Sequence, residues 1–234
     1  MTSLLRVLAG LLFVGAAPAL AQQPAPAPQP EAAATVYMVS YIDVLIAAKA
    51  QTMALLRQFR AGCAREPGNL RCEAVQRMEQ QNEFALLEAW KDEAAYRKHA
   101  AGSGAQLRER LKPWQQSPID ERVLAGVSVL PPQPAPPGRV VYALTHIDLV
   151  PPQADATLPA LIRLAEESRR DQGNGRYEVL RESARANHVT LIEIWSNRRL
   201  LEAHQAQPHT IRARDKLQAA LGSPYDERLY KVLD

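Results

Sequence analysis

Residues 83–90 read Glu-Phe-Ala-Leu-Leu-Glu-Ala-Trp, and residues 188–195 read His-Val-Thr-Leu-Ile-Glu-Ile-Trp. In the first stretch Phe84, Leu86 and Trp90 alternate with Ala85, Leu87 and Ala89, so apolar side chains fall on both faces. A strand of that kind is expected to be buried on both faces. Helices on one side of a sheet cover only one of them. The recurrence of the stretch suggests that a second copy of the sheet covers the other.

The recurrence extends well beyond these residues. Tyr37 matches Tyr142, Ile42-Asp43 matches Ile147-Asp148, and Gly68-Asn69 matches Gly173-Asn174. Arg71, Glu73, Asn82, Glu88, Trp90 and His99 find Arg176, Glu178, Asn187, Glu193, Trp195 and His204, all at an offset of 105. Near the end the offset becomes 106, with Pro118-x-Asp120-Glu121-Arg122 facing Pro224-x-Asp226-Glu227-Arg228. One inserted residue accounts for the change. The period is far longer than a solenoid repeat, so each copy is a whole folding unit of about ninety residues.

Both copies carry the same element pattern. Val36–Val44 alternates and is rich in β-branched and aromatic residues, which predicts a strand. Thr52–Arg65 carries Leu55, Leu56, Phe59 and Cys63 at helical spacing, as do Leu158, Leu161, Ile162 and Ala165 in the second copy. Gly68 and Gly173 are helix stops. Strands follow at Leu70–Met78 and Glu83–Trp90, then a helix capped by Asp92, then a strand at Glu121–Val129. The order βαββαβ is the ferredoxin-like arrangement, an α+β fold. Two such units in one chain predict an intramolecular pseudo-dimer, with the sheets packed face to face around a cavity.

Around the units the composition changes. Arg6, the apolar stretch Val7–Ala17 and Ala19-Leu20-Ala21 form a secretory signal pattern over residues 1–21, too short to span a bilayer. It predicts a secreted or periplasmic protein. Residues 22–35 are a Pro/Ala-rich tether and residues 130–139 a Pro-rich linker, leaving units at 36–129 and 140–234. The formal charge is +3, and only Arg6 leaves with the signal. So balanced a surface argues against nucleic acid as a partner, and no second apolar run predicts a membrane span. Cys63 and Cys72 fit either a disulfide in an oxidising compartment or two buried thiols. Ser168 and Tyr177 at the matching positions show that the fold does not require a bridge.

The run Arg65-Glu66-Pro67-Gly68, then Phe84-x-Leu86-x-Glu88-x-Trp90, then His99, resembles the antibiotic biosynthesis monooxygenase (ABM) family. In the second copy His204 and Pro208-His209 are similar to that family's two-histidine helix. The resemblance implies a fused dimeric α/β barrel with a hydrophobic pocket between sheet and helices. It also implies a small hydrophobic or aromatic ligand. Family members include cofactor-free oxygenases of quinols, haem-degrading enzymes and proteins of other roles, and fold alone does not choose among them.

In the cofactor-free reading, which needs no metal, His204 and His209 handle the proton, with His99 doing so less completely in the first copy. Trp195 and Trp90 line the pocket. Glu193 and Glu88 lie two residues before them on the same strand face and orient the histidines. Tyr142 and Tyr37 donate to a quinol oxygen. Each has a structural counterpart: the histidines as helix-edge packing, the tryptophans and tyrosines as core, the glutamates as partners of Arg122 and Arg228. Glu73 and Glu178 are expected to pair with Arg71 and Arg176 on their own strands. Counting at 105, Gly104 stands where His209 stands, which marks the second copy as the active half. The haem-degrading pattern needs a strand-one asparagine, and Ser40 and Thr145 stand there instead.

Overall fold

The structure, a computed structural model, describes residues 34–131 and 138–233. The expected leader, nearly all of the tether and the centre of the linker lie outside them. The first copy runs β1 (Val36–Asp43), α1 (Lys49–Cys63), β2 (Asn69–Arg77), β3 (Glu83–Trp90), α2 (Glu93–Ala101), α3 (Ser103–Leu111) and β4 (Asp120–Ser128). The second runs β5 (Val141–Asp148), α4 (Ala154–Ser168), β6 (Asn174–Glu182), β7 (His188–Trp195), α5 (Arg198–Gln205), α6 (Pro208–Gln218) and β8 (Asp226–Val232).

Local chemistry sets the joints. Gly68 and Gly173 adopt φ of 87° and 85°, turning the chain from α1 and α4 into the next strands. The Asp92 carboxylate caps α2 by accepting from the Ala95 amide at 2.7 Å. Asn197 does the same for the Leu200 amide at 3.0 Å. Beyond these caps the sequence predicts one helix per copy, and the structure makes two. Gly102 leaves helical geometry at φ −97°, ψ −107°. In the second copy Pro208 starts α6 and holds Gln207 extended.

The eight strands close into one antiparallel barrel in the order β1-β3-β2-β8-β5-β7-β6-β4. Each copy contributes a four-stranded ferredoxin-like sheet, and the sheets join edge to edge. Val75 of β2 pairs with Val232 of β8, and Leu124 of β4 pairs with Glu182 of β6. Closure removes every open edge. The inner faces of the two sheets face each other around a common interior, as the fused barrel requires. Tyr37, Val39, Leu87, Tyr142, Leu144 and Ile192 are among the residues of both copies that fill it. The outer faces pack under the helices, with Ile42, Phe84 and Leu86 against Leu55 and Leu56 in the first copy.

The expected same-strand ion pairs form differently. Arg71 meets Glu178 of the other copy through two hydrogen bonds of 2.8 and 2.9 Å. Arg176 meets Glu73 at 2.8 and 3.1 Å. Side chains two apart on one strand point in parallel, whereas closure sets β2 and β6 on opposite sides of the interior, so that each guanidinium faces a carboxylate fork of the other copy. The first pair is buried and the second part-buried, and both hold one copy to the other. Cys63 and Cys72 are disulfide-bonded, with their Cα atoms 6.2 Å apart. Among the described residues no helix is long and apolar enough to cross a membrane.

Candidate functional site

The end of β3 places Glu88 and Trp90 on its outer face, and the Trp90 indole N–H donates to Glu88 Oε2 at 2.9 Å. From α2 above, the His99 ring lies over the indole with centroids 4.3 Å apart. Its Nε2 is 3.1 Å from Glu88 Oε2. Its Nδ1 is 3.0 Å from Glu66 Oε2 and 3.1 Å from Ser103 Oγ. The imidazole is therefore clamped between two carboxylates and is only 2% exposed.

The second copy repeats the plan with different distances. Trp195 donates to Glu193 Oε2 at 2.8 Å, and its ring stacks on His204 with centroids 4.5 Å apart. His204 Nδ1 is 2.7 Å from Asp171 Oδ2. Its Nε2 is 3.9 Å from Glu193, too far for a hydrogen bond. His209 Nε2 is 3.1 Å from the same Asp171 oxygen.

The protons sit differently in the two clusters. Burial pushes the His99 imidazole down, but hydrogen bonds and charge from Glu88 and Glu66 outweigh it and hold the ring above its ordinary 6.5. Burial wins at His204, which stays below 6.5 despite Asp171, with His209 and Arg214 adding to the effect. Burial also pushes the Glu193 carboxyl up to about 8, opposed by the Trp195 N–H. The proton is thus favoured on the imidazole in one copy and on the carboxyl in the other.

Of the sequence-predicted residues, the structure unites Trp90, Glu88 and His99, and separately Trp195, Glu193, His204 and His209. Tyr37 and Tyr142 lie elsewhere. Tyr37 pairs with Ala89 and Tyr142 with Ile194, on the inner faces, so the sheet separates them from the histidines. The strand-one polar groups on the outer face are Ser40 and Thr145. Glu66, Asp171 and Ser103 were missed. Glu66 and Asp171 share the 105 offset and stand two residues before the turn glycines, which is the signal that pointed to them.

The pairing of His209 with Gly104 is also corrected. The buried residues of α3 are Gly104, Leu107 and Leu111, and those of α6 are Thr210, Ala213 and Leu217, an offset of 106 throughout. The inserted residue lies between α5 and α6. His209 therefore matches Ser103, and Gly104 matches Thr210. A Cβ on Gly104 would stand 3.4 Å from His99 Nε2.

That bare position opens onto a pocket between sheet and helices. Met38, Ser40, Leu86, Glu88, His99 and Gly104 line it, with Phe59, Leu107, Arg108, Ile119 and Glu121 completing the wall. It encloses about 10 Å³, room for one water. In the second copy His209 instead borders a cavity of about 350 Å³ between α4 and α6.

A tandem unit with a glycine turn, a Glu-x-Trp strand end and a helix histidine stacked on that tryptophan matches the sequence profile described as antibiotic biosynthesis monooxygenase, over residues 35–106 and 140–216. The chain belongs to that family. Membership supports a monooxygenase-like function. No curated protein matches the sequence. A Fusobacterium nucleatum protein assigned as a monooxygenase superposes with a TM-score of 0.76 at 11% identity, covering 86% of this chain and 94% of its own. One from Lactobacillus acidophilus, assigned likewise, gives 0.70 at 12%, covering 84% and 93%. An anthrone oxidase-like protein gives 0.67 at 13%, covering 85% and 91%. At such identities these neighbours establish the fold: tandem ABM units closed into one barrel.

Proposed function

We propose that the protein is an exported, cofactor-independent monooxygenase that oxidises a small aromatic or quinol in the first-copy pocket between sheet and helices. One observation carries the reading: His99, clamped by Glu66 and Glu88, lines a pocket whose wall is mostly apolar, with Met38, Ile42, Phe59, Leu86 and Leu107 beside the polar Ser40, Arg108 and Glu121. An apolar wall suits an aromatic ring, and an imidazole whose affinity for its proton is raised by Glu88 and Glu66 favours the phenolate beside it. Glu88 takes the substrate proton. The anion then reduces dioxygen, so that hydroquinone and O2 give hydroxyquinone and water, with the substrate supplying all the electrons. At about 10 Å³ the pocket is closed around its own side chains, so α2 and α3 must part at Gly102 to admit a ring. Export is supported by the signal pattern at 1–21 and by the Cys63–Cys72 disulfide.

The test is oxygen uptake by the tag-free mature chain, in chelator, with a panel of quinols and dihydroxyaromatics. Turnover is expected to fall at least about a hundredfold in His99→Ala and to survive in His209→Ala. Equal loss in both variants, or uptake that chelation abolishes, overturns the reading. A second reading, binding without turnover, is favoured by a larger cavity of about 530 Å³ at the α1–β2 edge. Ala61, Ala64, Leu70, Tyr142, Val232 and Arg60 are among its lining residues, and no histidine is. No oxygen uptake, with a quinone still raising the melting temperature, selects that reading.

A further inference from the structure

The second copy replaces one hydroxyl of the first with an imidazole, and this changes what its cluster can hold. Asp171, His204 and His209 each offer one ligand atom, all within 4.8 Å of one another. Asp171 Oδ2 lies 2.7 Å from His204 Nδ1 and 3.1 Å from His209 Nε2. These are close to the ligand–ligand spacings around a small divalent ion whose bonds are about 2.0–2.2 Å long. His209 Nε2 is buried, and although the carboxylate oxygen is within reach it makes no hydrogen bond. A ring nitrogen in that position is a free donor.

We propose that Asp171, His204 and His209 form a binding site for a divalent first-row transition metal, with an open coordination position facing the cavity between α4 and α6. Two imidazoles and one carboxylate on one side of an ion are the donor set that suits such metals. Three protein ligands leave a position for water or an exogenous ligand. His209 borders both the cluster and the cavity, whose wall also carries Arg163, Arg212 and Lys216. Those cations suit an anion as the fourth ligand. Trp195 fixes the plane of the His204 ring by stacking on it, and Glu193 stands behind its other nitrogen, as outer groups do at metal sites.

The first copy has no such set. Ser103 replaces His209, and both nitrogens of His99 are taken by carboxylates. Cys63, which lies near Glu88 and His99, is tied to Cys72. The metal site is therefore a feature of one half and is independent of the pocket proposed for turnover.

The experiment is titration of the chelator-stripped, tag-free full chain with Co2+, read by visible absorption, and with Zn2+, read by calorimetry. One equivalent is expected to bind, with the ligand-field bands of a nitrogen- and oxygen-ligated Co2+. His209→Ala and Asp171→Asn should each weaken binding at least about tenfold, while Ser103→Ala leaves it unchanged. His209 sits at the cavity rim and Asp171→Asn keeps its shape, so circular dichroism of both variants should match the parent. Absence of saturable one-equivalent binding of either ion overturns the proposal. So does one-equivalent binding that both variants retain.

Discussion

At the scale of single residues, the duplicated Trp–Glu–His stack shows how small displacements redistribute protons. Glu88 and Glu193 occupy the same strand position and accept the same indole N–H. Only Glu88 reaches its histidine, 3.1 Å against 3.9 Å. At Glu193 burial outweighs the Trp195 hydrogen bond and the more distant charge of Arg214, and the carboxyl rises to about 8. A carboxyl whose folded value exceeds its ordinary 4.5 contributes most below that pH, and the contribution is lost as pH climbs through the folded value. Glu193→Gln keeps an oxygen for the Trp195 N–H and cannot ionise. The variant should match the parent in stability near pH 4.5 and exceed it by a margin that grows to pH 8, reaching up to about 4 kcal/mol. Urea melts across this range check it, and parallel curves for the two proteins would refute the assignment. The stack was legible in the sequence because Glu and Trp two apart on a strand must share a face. The tyrosines were misplaced because the parity of β1 relative to β3 is a matter of register, which a single strand does not carry.

At the scale of elements, each copy was readable where side-chain period and caps agreed. The strand at Glu83–Trp90 has the bounds its pattern predicts, and Asp92 caps the helix that follows. The break in that helix was not readable, because it rests on Gly102 alone in one copy and on the Gln207-Pro208 step in the other. Nor was the site of the insertion, since matched residues at His99 and Pro118 bracket it without placing it. Only the buried stripes of α3 and α6 fix it. The turns at Gly68 and Gly173 carry the tightest local requirement. Gly68 holds φ 87°, and a Cβ there would come within 2.6 Å of Ala95 Cβ on α2. Its carbonyl accepts from the Lys91 amide at 2.9 Å, tying the helix exit to the end of β3. Gly68→Ala should therefore destabilise by about 2 kcal/mol or more, through both the left-handed backbone and the displaced helix. Thermal unfolding measures it, and a loss below about 0.5 kcal/mol would show that the turn is not held as described.

At the scale of the molecule, duplication converts a dimer interface into a core. Two strand pairings, β2 with β8 and β4 with β6, close the barrel. The interior mixes side chains of both copies, and the two exchanged ion pairs lie within it. That exchange was invisible in sequence, where Arg71 and Glu73 sit side by side; it arises from closure, which offers each guanidinium a fork on the opposite copy. Folding of either half alone would leave its arginine and glutamate facing water or apolar surface, so the intact chain should unfold in one transition. Glu178→Gln strands the Arg71 charge in a site where both partners are only 2% and 3% exposed. The cost should be roughly 3–5 kcal/mol, because the penalty is that of an uncompensated buried charge rather than the worth of the pair. Arg71→Met combined with Glu178→Gln removes both charges and should recover most of the loss, so that the parent, the two single variants and the double give a large coupling in a double-mutant cycle. Denaturant melts of the four proteins decide it. Additive losses, or two separate transitions in the parent, would mean that the copies fold independently and meet only as neighbours.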